Sequence, residues 1–96
     1  MIAHEVTLSY DDQVEDIAKV AHDLGNLILQ QPEEDSYFVR AAIRGLSADV
    51  FEIQRALNQF FCDNAYTHRV HDMCIDGQDF VIAMRLMDVH ELIGFF

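Results

Sequence analysis

His22 is the residue whose type and setting best suit chemistry. It lies in a segment with helical periodicity, directly before Asp23 and four residues before Asn26. An imidazole acts as a nucleophile when a neighbouring base holds its proton and solvent can reach the ring. His22 is at the border of the apolar stripe of this helix, and Asn26 follows one turn later on the same side. The pattern therefore favours a solvent-accessible His22 that could act as a nucleophile, with Asp23 as the neighbouring base.

Residues 21–27, with the sequence Ala-His-Asp-Leu-Gly-Asn-Leu, resemble the H-box of sensor histidine kinases. In that family a helix-borne His accepts a phosphoryl group, an acid follows the His, and an Asn or Thr lies four residues after it. His22, Asp23 and Asn26 match these positions. The resemblance implies a histidine phosphotransfer protein with His22 as the phosphoacceptor. It covers these residues alone, and the sequence contains nothing like the glycine-rich motifs of the family's ATP-binding half.

A second group of residues has the types that bind metals. His68, His71 and Cys74 follow one another at intervals of three, and Cys62 and Asp72 are near them in the sequence. In a strand, His68 and Cys74 would share one face while His71 points to the other, so three ligands would not converge without a bulge or a helix. The spacing matches no zinc motif. We therefore predict no metal site and no cofactor.

The elements that position these residues are dominated by one apolar pattern. Between residues 36 and 61, apolar side chains recur at steps of three and four, at Val39, Ile43, Leu46, Val50, Ile53, Leu57 and Phe60. This spacing predicts one long helix. A first helix is predicted over residues 12–31, ended by Pro32. Alternating patterns predict a strand over residues 2–10 and two more after residue 65, joined by a turn at Asp76 and Gly77.

These elements predict an α+β fold in a single domain of residues 1–96. The order is β-α-α-β-β, with an antiparallel helical hairpin packed on a three-stranded antiparallel sheet. Residues 89–93 can add a short helical turn at the C-terminal end. Gly25 costs stability inside a helix, so we expect it to mark a close approach to the second helix. The uncovered face of the sheet would favour a homodimer.

The far side of the predicted long helix carries three of the six cationic residues and one large apolar side chain. Arginine and aromatic residues are common anchors of protein interfaces. The same arginines could instead pair with nearby acids, or form an anion site between subunits. The apolar C-terminal residues either close the core or dock on another subunit. The predicted partner-binding residues are Arg40, Arg44, Phe51, Arg55, Phe95 and Phe96.

Charge limits the classes of partner. The 96-residue chain has 17 acidic and six basic residues, for a net charge of −11. This charge disfavours direct binding to nucleic acids and to anionic membranes, and it favours solubility or a basic protein partner. The sequence has no leader pattern and no apolar run long enough for a membrane span. Cys62 and Cys74 form no disulfide framework, so we expect free thiols in the cytoplasm.

The sequence contains no phosphate-binding glycine loop and no serine-hydrolase motif, so we expect no enzyme. The leading hypothesis is a small acidic protein-interaction module. It would act as a regulator or inhibitor, of the kind that phages and other mobile elements encode, by covering a basic surface of a partner protein. Two alternatives remain open: a histidine phosphotransfer protein using His22, and a homo-oligomeric binder of a small ligand.

Overall fold

The computed structural model describes residues 3–87, which form two helices and a four-stranded mixed sheet. The predicted α+β class is confirmed. The order of elements is β-α-β-α-β-β, and not β-α-α-β-β. The six elements are β1 (Ala3–Val14), α1 (Ile17–Leu29), β2 (Ser36–Leu46), α2 (Val50–Asp63), β3 (His68–Asp76) and β4 (Asp79–Leu86).

The sheet has the strand order β1-β2-β4-β3. β1 runs parallel to β2, while β4 is antiparallel to both of its neighbours, β2 and β3. The predicted three-stranded antiparallel sheet is therefore wrong in strand number and in direction. Both helices contribute to one buried cluster with a single face of the sheet. The molecule has two layers, and we call the sheet face opposite the helices the open face.

Residues 36–46, predicted as the first half of a long helix, form strand β2. Tyr37, Val39 and Ala41 are buried and alternate with more exposed neighbours, which is the period of a strand. The misleading signal was the spacing of Val39 and Ile43, because a step of four places two residues on one side of either a helix or a strand. Gly45, with a φ of +83°, lies at the end of the strand in a conformation that suits glycine.

Each helix starts later than predicted because an aspartate caps it. The carboxylate of Asp49 accepts a hydrogen bond from the backbone N–H of Glu52 at 2.9 Å, and α2 begins at the next residue, Val50. Asp16 caps α1 in the same way through the N–H of Lys19 at 3.2 Å. The first helix does not begin at residue 12, because β1 continues to Val14.

The expected close approach at Gly25 is confirmed. A Cβ atom at this position would lie 2.5 Å from two ring carbons of Phe60 on α2. Glycine therefore allows α1 and α2 to pack closely, despite its cost inside a helix.

The β3–β4 hairpin turns as predicted, with Gly77 at a φ of +65°. A register shift between Val70 and Asp72 interrupts β3, so His68 is buried whereas Cys74 is exposed. The expectation that these two side chains share a face is wrong, because the bulge reverses the alternation. The predicted turn at residues 89–93, and Phe95 and Phe96, lie outside the described residues.

Candidate functional site

The predicted H-box residues form a surface cluster on α1. The His22 side chain is 66% exposed, and its Nδ1 atom lies 3.5 Å from Oδ1 of Asp23. The other carboxylate oxygen, Oδ2, accepts hydrogen bonds from the Tyr10 hydroxyl at 3.0 Å and from Lys19 Nζ at 3.3 Å. Tyr10 and Lys19 thus fix one oxygen of the Asp23 carboxylate. The other oxygen can accept a hydrogen bond from the Nδ1–H of the imidazole. This arrangement leaves Nε2 as the nucleophilic nitrogen.

The electrostatics keep Asp23 ionised. Partial burial acts to raise its pKa, but hydrogen bonds from Tyr10, Lys19 and His22 together bring the pKa below its ordinary value. Burial raises the pKa of Tyr10 to about 12, and its hydrogen bond to Asp23 adds to that shift. The tyrosine therefore remains a hydrogen-bond donor to a carboxylate across the neutral pH range.

Asn26 and Phe60 complete the surroundings of the imidazole. The Asn26 Nδ2 atom lies 3.4 Å from both ring nitrogens of His22, which places the amide over the ring. The Phe60 ring meets the imidazole edge to face, with centroids 5.6 Å apart. Sequence spacing could find Asp23, Asn26 and the i,i+4 partner Lys19. It could not find Tyr10, which reaches the cluster from β1.

The predicted stripe of Arg40, Arg44, Phe51 and Arg55 does not exist as one surface. Arg40 and Arg44 lie on β2, on the open face, whereas Phe51 and Arg55 lie on α2 in the other layer. These residues are separated because the predicted long helix is in fact two elements: β2 ends at Leu46, and α2 begins at Val50. Among the described residues, Arg44 and Arg55 make no ion pair. The structure does not bring the arginines together as one anion site.

The Arg40 side chain is held by two acids of the sheet. Its Nη1 donates to Oδ2 of Asp76 and its Nε donates to Oδ2 of Asp79, each at 2.9 Å. Both hydrogen bonds raise the pKa of Arg40 above its ordinary value. A depression of about 170 Å³ beside it is lined by Glu5, Val6, Thr7, Arg40, Ala42 and Asp79. Ligand pockets usually enclose ~300 Å³ or more, so this depression by itself does not support a small-ligand site.

Charge is divided unevenly between the open face and the rest of the described chain. By strand alternation, four of the six cationic residues lie on the open face: Arg40, Arg44, Arg69 and Arg85. Four acids share that face: Glu5, Asp72, Asp76 and Asp79. Elsewhere, two cations, Lys19 and Arg55, accompany eleven acids: Asp11, Asp12, Glu15, Asp16, Asp23, Glu33, Glu34, Asp35, Asp49, Glu52 and Asp63. The strong negative charge thus lies on the helices, in the loops and at the C-terminal end of β1, where Asp11 and Asp12 are found.

Among the described residues, Phe51 is the most exposed of the large hydrophobic side chains. It is 71% exposed, against 59% for Ile75 and 40% for Tyr66. It lies in the first turn of α2, between Asp49 and Glu52. The end of β1 is close by, because the N–H of Ser47 donates to the carbonyl of Val14 at 3.2 Å. We call this group of residues the acidic end: Asp11, Asp12, Glu15 and Asp16 at the end of β1 and before α1, with Asp49, Phe51 and Glu52 at the start of α2.

We predicted no metal site because the side chains of His68, His71 and Cys74 would not all point to one face of a strand. The structure buries His68 and exposes His71 and Cys74, and no group of three or more potential ligands within residues 3–87 could hold a metal ion. The His68 ring stacks on Phe61 with centroids 5.6 Å apart, and its Nδ1 is buried without a hydrogen-bond partner. His68 thus packs in the core as an aromatic ring.

No protein-family model matches the chain, and no curated protein matches it. Neither helix of the described residues has the length and hydrophobicity needed to cross a lipid bilayer.

Proposed function

We propose that this chain is a small non-enzymatic regulator or inhibitor, and that its acidic end binds a basic surface on a partner protein. The observation that carries the proposal is the exposure of Phe51 within a group of acids. Aromatic side chains anchor interfaces when a partner pocket buries them. Surrounding charges guide the encounter with an oppositely charged partner. An exposed phenylalanine with carboxylates near it in the sequence suits an apolar pocket with a basic rim.

Three acids of this surface, Asp11, Asp12 and Glu15, are available to a partner. Asp16 and Asp49 cap the two helices. Among the described residues, the carboxylates of Asp11, Asp12 and Glu15 make no ion pair. Their charges are not neutralised internally, so a basic partner would gain attraction without breaking existing pairs.

The cytoplasm is the compartment we propose for this encounter. Cys62 and Cys74 are both exposed and unpaired. Exposed thiols persist in reducing compartments and tend to oxidise elsewhere. Neither a nucleic acid nor a membrane is proposed as a direct partner, because the net charge opposes both.

The test compares capture of a partner by three immobilised proteins from a lysate of the cells that express the chain. The wild type and Tyr66→Ala should retain the same protein, because Tyr66 is exposed beyond the C-terminal end of α2, whereas Phe51 lies in the first turn of that helix. Phe51→Ala should lose it, and rising salt should release it from the wild type. Retention of the partner by all three proteins, or binding that does not change with ionic strength, would contradict the proposal.

A second candidate function, histidine phosphotransfer, is favoured by the geometry around His22. Asp23 can hold the proton on Nδ1, so the lone pair of Nε2 would attack the phosphorus atom of a donor. The leaving group of the donor then departs with its bonding electrons, which leaves a P–N bond on the imidazole. Lys19 and Tyr10 would keep the carboxylate of Asp23 in place during the step.

Incubation with acetyl phosphate tests this candidate. The expected product is an acid-labile phosphoryl group that is absent in His22→Gln and present in His71→Gln, since His71 is an exposed histidine on β3. A label that persists in His22→Gln would exclude this role. Neither result bears on capture of a partner through Phe51, so the two functions are tested separately.

A further inference from the structure

The two edges of the sheet differ in their readiness to pair with another strand. The strand order places β1 at one edge and β3 at the other. The register shift of β3 lies next to Asp72, whose carboxylate accepts the N–H of Met73 at 2.9 Å. Bulges of this kind hinder pairing at an edge. β1, in contrast, keeps an unbroken register with β2 from Ala3 to Ser9, and its own register shift comes later, between Ser9 and Val14.

The sequence of β1 lacks the residues that usually protect a free edge. Proteins place lysine, proline or bulges there to prevent unwanted pairing. Residues 3–10 contain no lysine and no proline, and Glu5 is their only charged residue. Among the described residues, no strand lies on the outer side of β1. This edge can therefore accept a further strand.

We propose that two copies of this chain associate by antiparallel pairing of their β1 edges, with Thr7 of one copy opposite Thr7 of the other. The argument is the self-complementarity of the strand in this register. On the helix side, Val6 faces Leu8 and His4 faces Tyr10 of the second copy. On the open side, Thr7 faces itself and Glu5 faces Ser9. Apolar, aromatic and threonine pairs of this kind stabilise antiparallel strands.

Charge favours this register over registers that oppose acids. Each copy carries a net charge of −11, so two copies repel each other, and a contact that opposed carboxylates would add to this repulsion. In the Thr7 register no carboxylate of residues 3–11 faces another carboxylate, because Asp11 faces Ala3. Because the dimer has two-fold symmetry, each pair occurs twice except the central pair of Thr7 residues, which occurs once. The homodimer predicted from the sequence used the uncovered face of the sheet, whereas this inference places the contact at the β1 edge. It depends neither on the partner of Phe51 nor on His22.

Disulfide trapping in the full-length chain tests the register. With Cys62 and Cys74 replaced by serine, Thr7→Cys should form a covalent dimer on mild oxidation, since facing residues have Cα atoms about 4.5–5.5 Å apart. Glu5→Cys alone and Ser9→Cys alone should not, because each lies about 13 Å along the strand from its own copy. A mixture of these two variants should form the cross-link. All three positions are exposed, so the substitutions leave the core intact.

Sedimentation tests the dimer without cysteine chemistry. The wild type should be dimeric at micromolar concentration, and Thr7→Lys should raise the dimer dissociation constant at least about tenfold, because two like charges would meet. Ser9→Lys is the matched control and should remain dimeric, since it would face Glu5. A monomeric wild type, a dimer unaffected by Thr7→Lys, or equal cross-linking at all three positions would overturn the proposal. Cross-linking between Glu5→Cys and Thr7→Cys would overturn this register.

Discussion

The two faces of the sheet are made from the same strands but are stabilised in different ways. On the helix side, Val39 of β2 and Ile82 of β4 have no exposed surface. On the open side the next residue of β2, Arg40, forms ion pairs with Asp76 and Asp79 and remains one third exposed. Burial of apolar surface contributes more to stability than partly exposed ion pairs do. The covered face therefore maintains the fold, and the open face tolerates change.

The largest expected effect comes from opening a cavity in the covered face. Ile82→Ala should lower the free energy of unfolding by about 2–5 kcal/mol, because the side chain is fully buried in a central strand. Val81→Ala on the open face should cost less, since this residue is only partly buried. Urea denaturation measures both values. Equal losses would contradict the difference between the faces.

The contact between the helices gives the next largest effect. Gly25→Ala improves helix propensity by about 1 kcal/mol but places a methyl group against the ring of Phe60, so we expect a net loss of about 1–2 kcal/mol. In a Phe60→Ala background the same substitution should become stabilising. A double-mutant cycle measured by denaturation gives the coupling. Additive effects would show that the ring moves away at no cost.

The covered face also contains a group that titrates. Burial lowers the pKa of His68 below its ordinary value of 6.5, with Glu33 opposing and Arg69 adding to the shift. Between the lowered pKa and 6.5 the unfolded chain binds more protons, so the free energy of unfolding should fall as pH drops below about 6.5. His68→Phe should remove this slope, whereas His71→Gln should keep it. Denaturation curves at several pH values between 5 and 8 would reveal either result.

The smallest effect is expected on the open face. Arg40→Met removes the hydrogen bonds to Asp76 and Asp79 and leaves the two carboxylates without their cation. Because solvent screens this site, the loss of stability should be well below that of Ile82→Ala and should shrink with added salt. Arg44→Met is the control, as Arg44 makes no ion pair with the described residues. A large loss that salt does not alter would show that the open face also maintains the fold.

The fold was predictable from the sequence where one period dominates. Strand β1, helix α1 and the turn at Gly77 follow from alternation, helical spacing and turn chemistry. The segment from Ser36 to Leu46 was not, because its spacing of four suits both a helix and a strand. Two local signals favoured the correct interpretation: glycine at position 45, and Asp49 three residues before Glu52, which is the pattern of a helix cap.

The candidate sites were predictable only within single elements. His22, Asp23 and Asn26 share one helix, so spacing alone places them together. The link from Tyr10 to Asp23 depends on how β1 packs beside α1, and sequence periodicity does not encode that contact. The concentration of cations on the open face likewise depends on the position of β4 between β2 and β3. Tertiary neighbours across the sheet decide these features.

The strand order also affects how the chain can fold as it is synthesised. β4 is the last described strand in the sequence, yet it lies between β2 and β3 in the sheet. Until Leu86 has left the ribosome, β2 and β3 each expose a row of backbone groups that only β4 satisfies. Incomplete sheets of this kind are prone to aggregate. We expect nascent chains shorter than this to stay unstructured or chaperone-bound, and folding to finish in one late step.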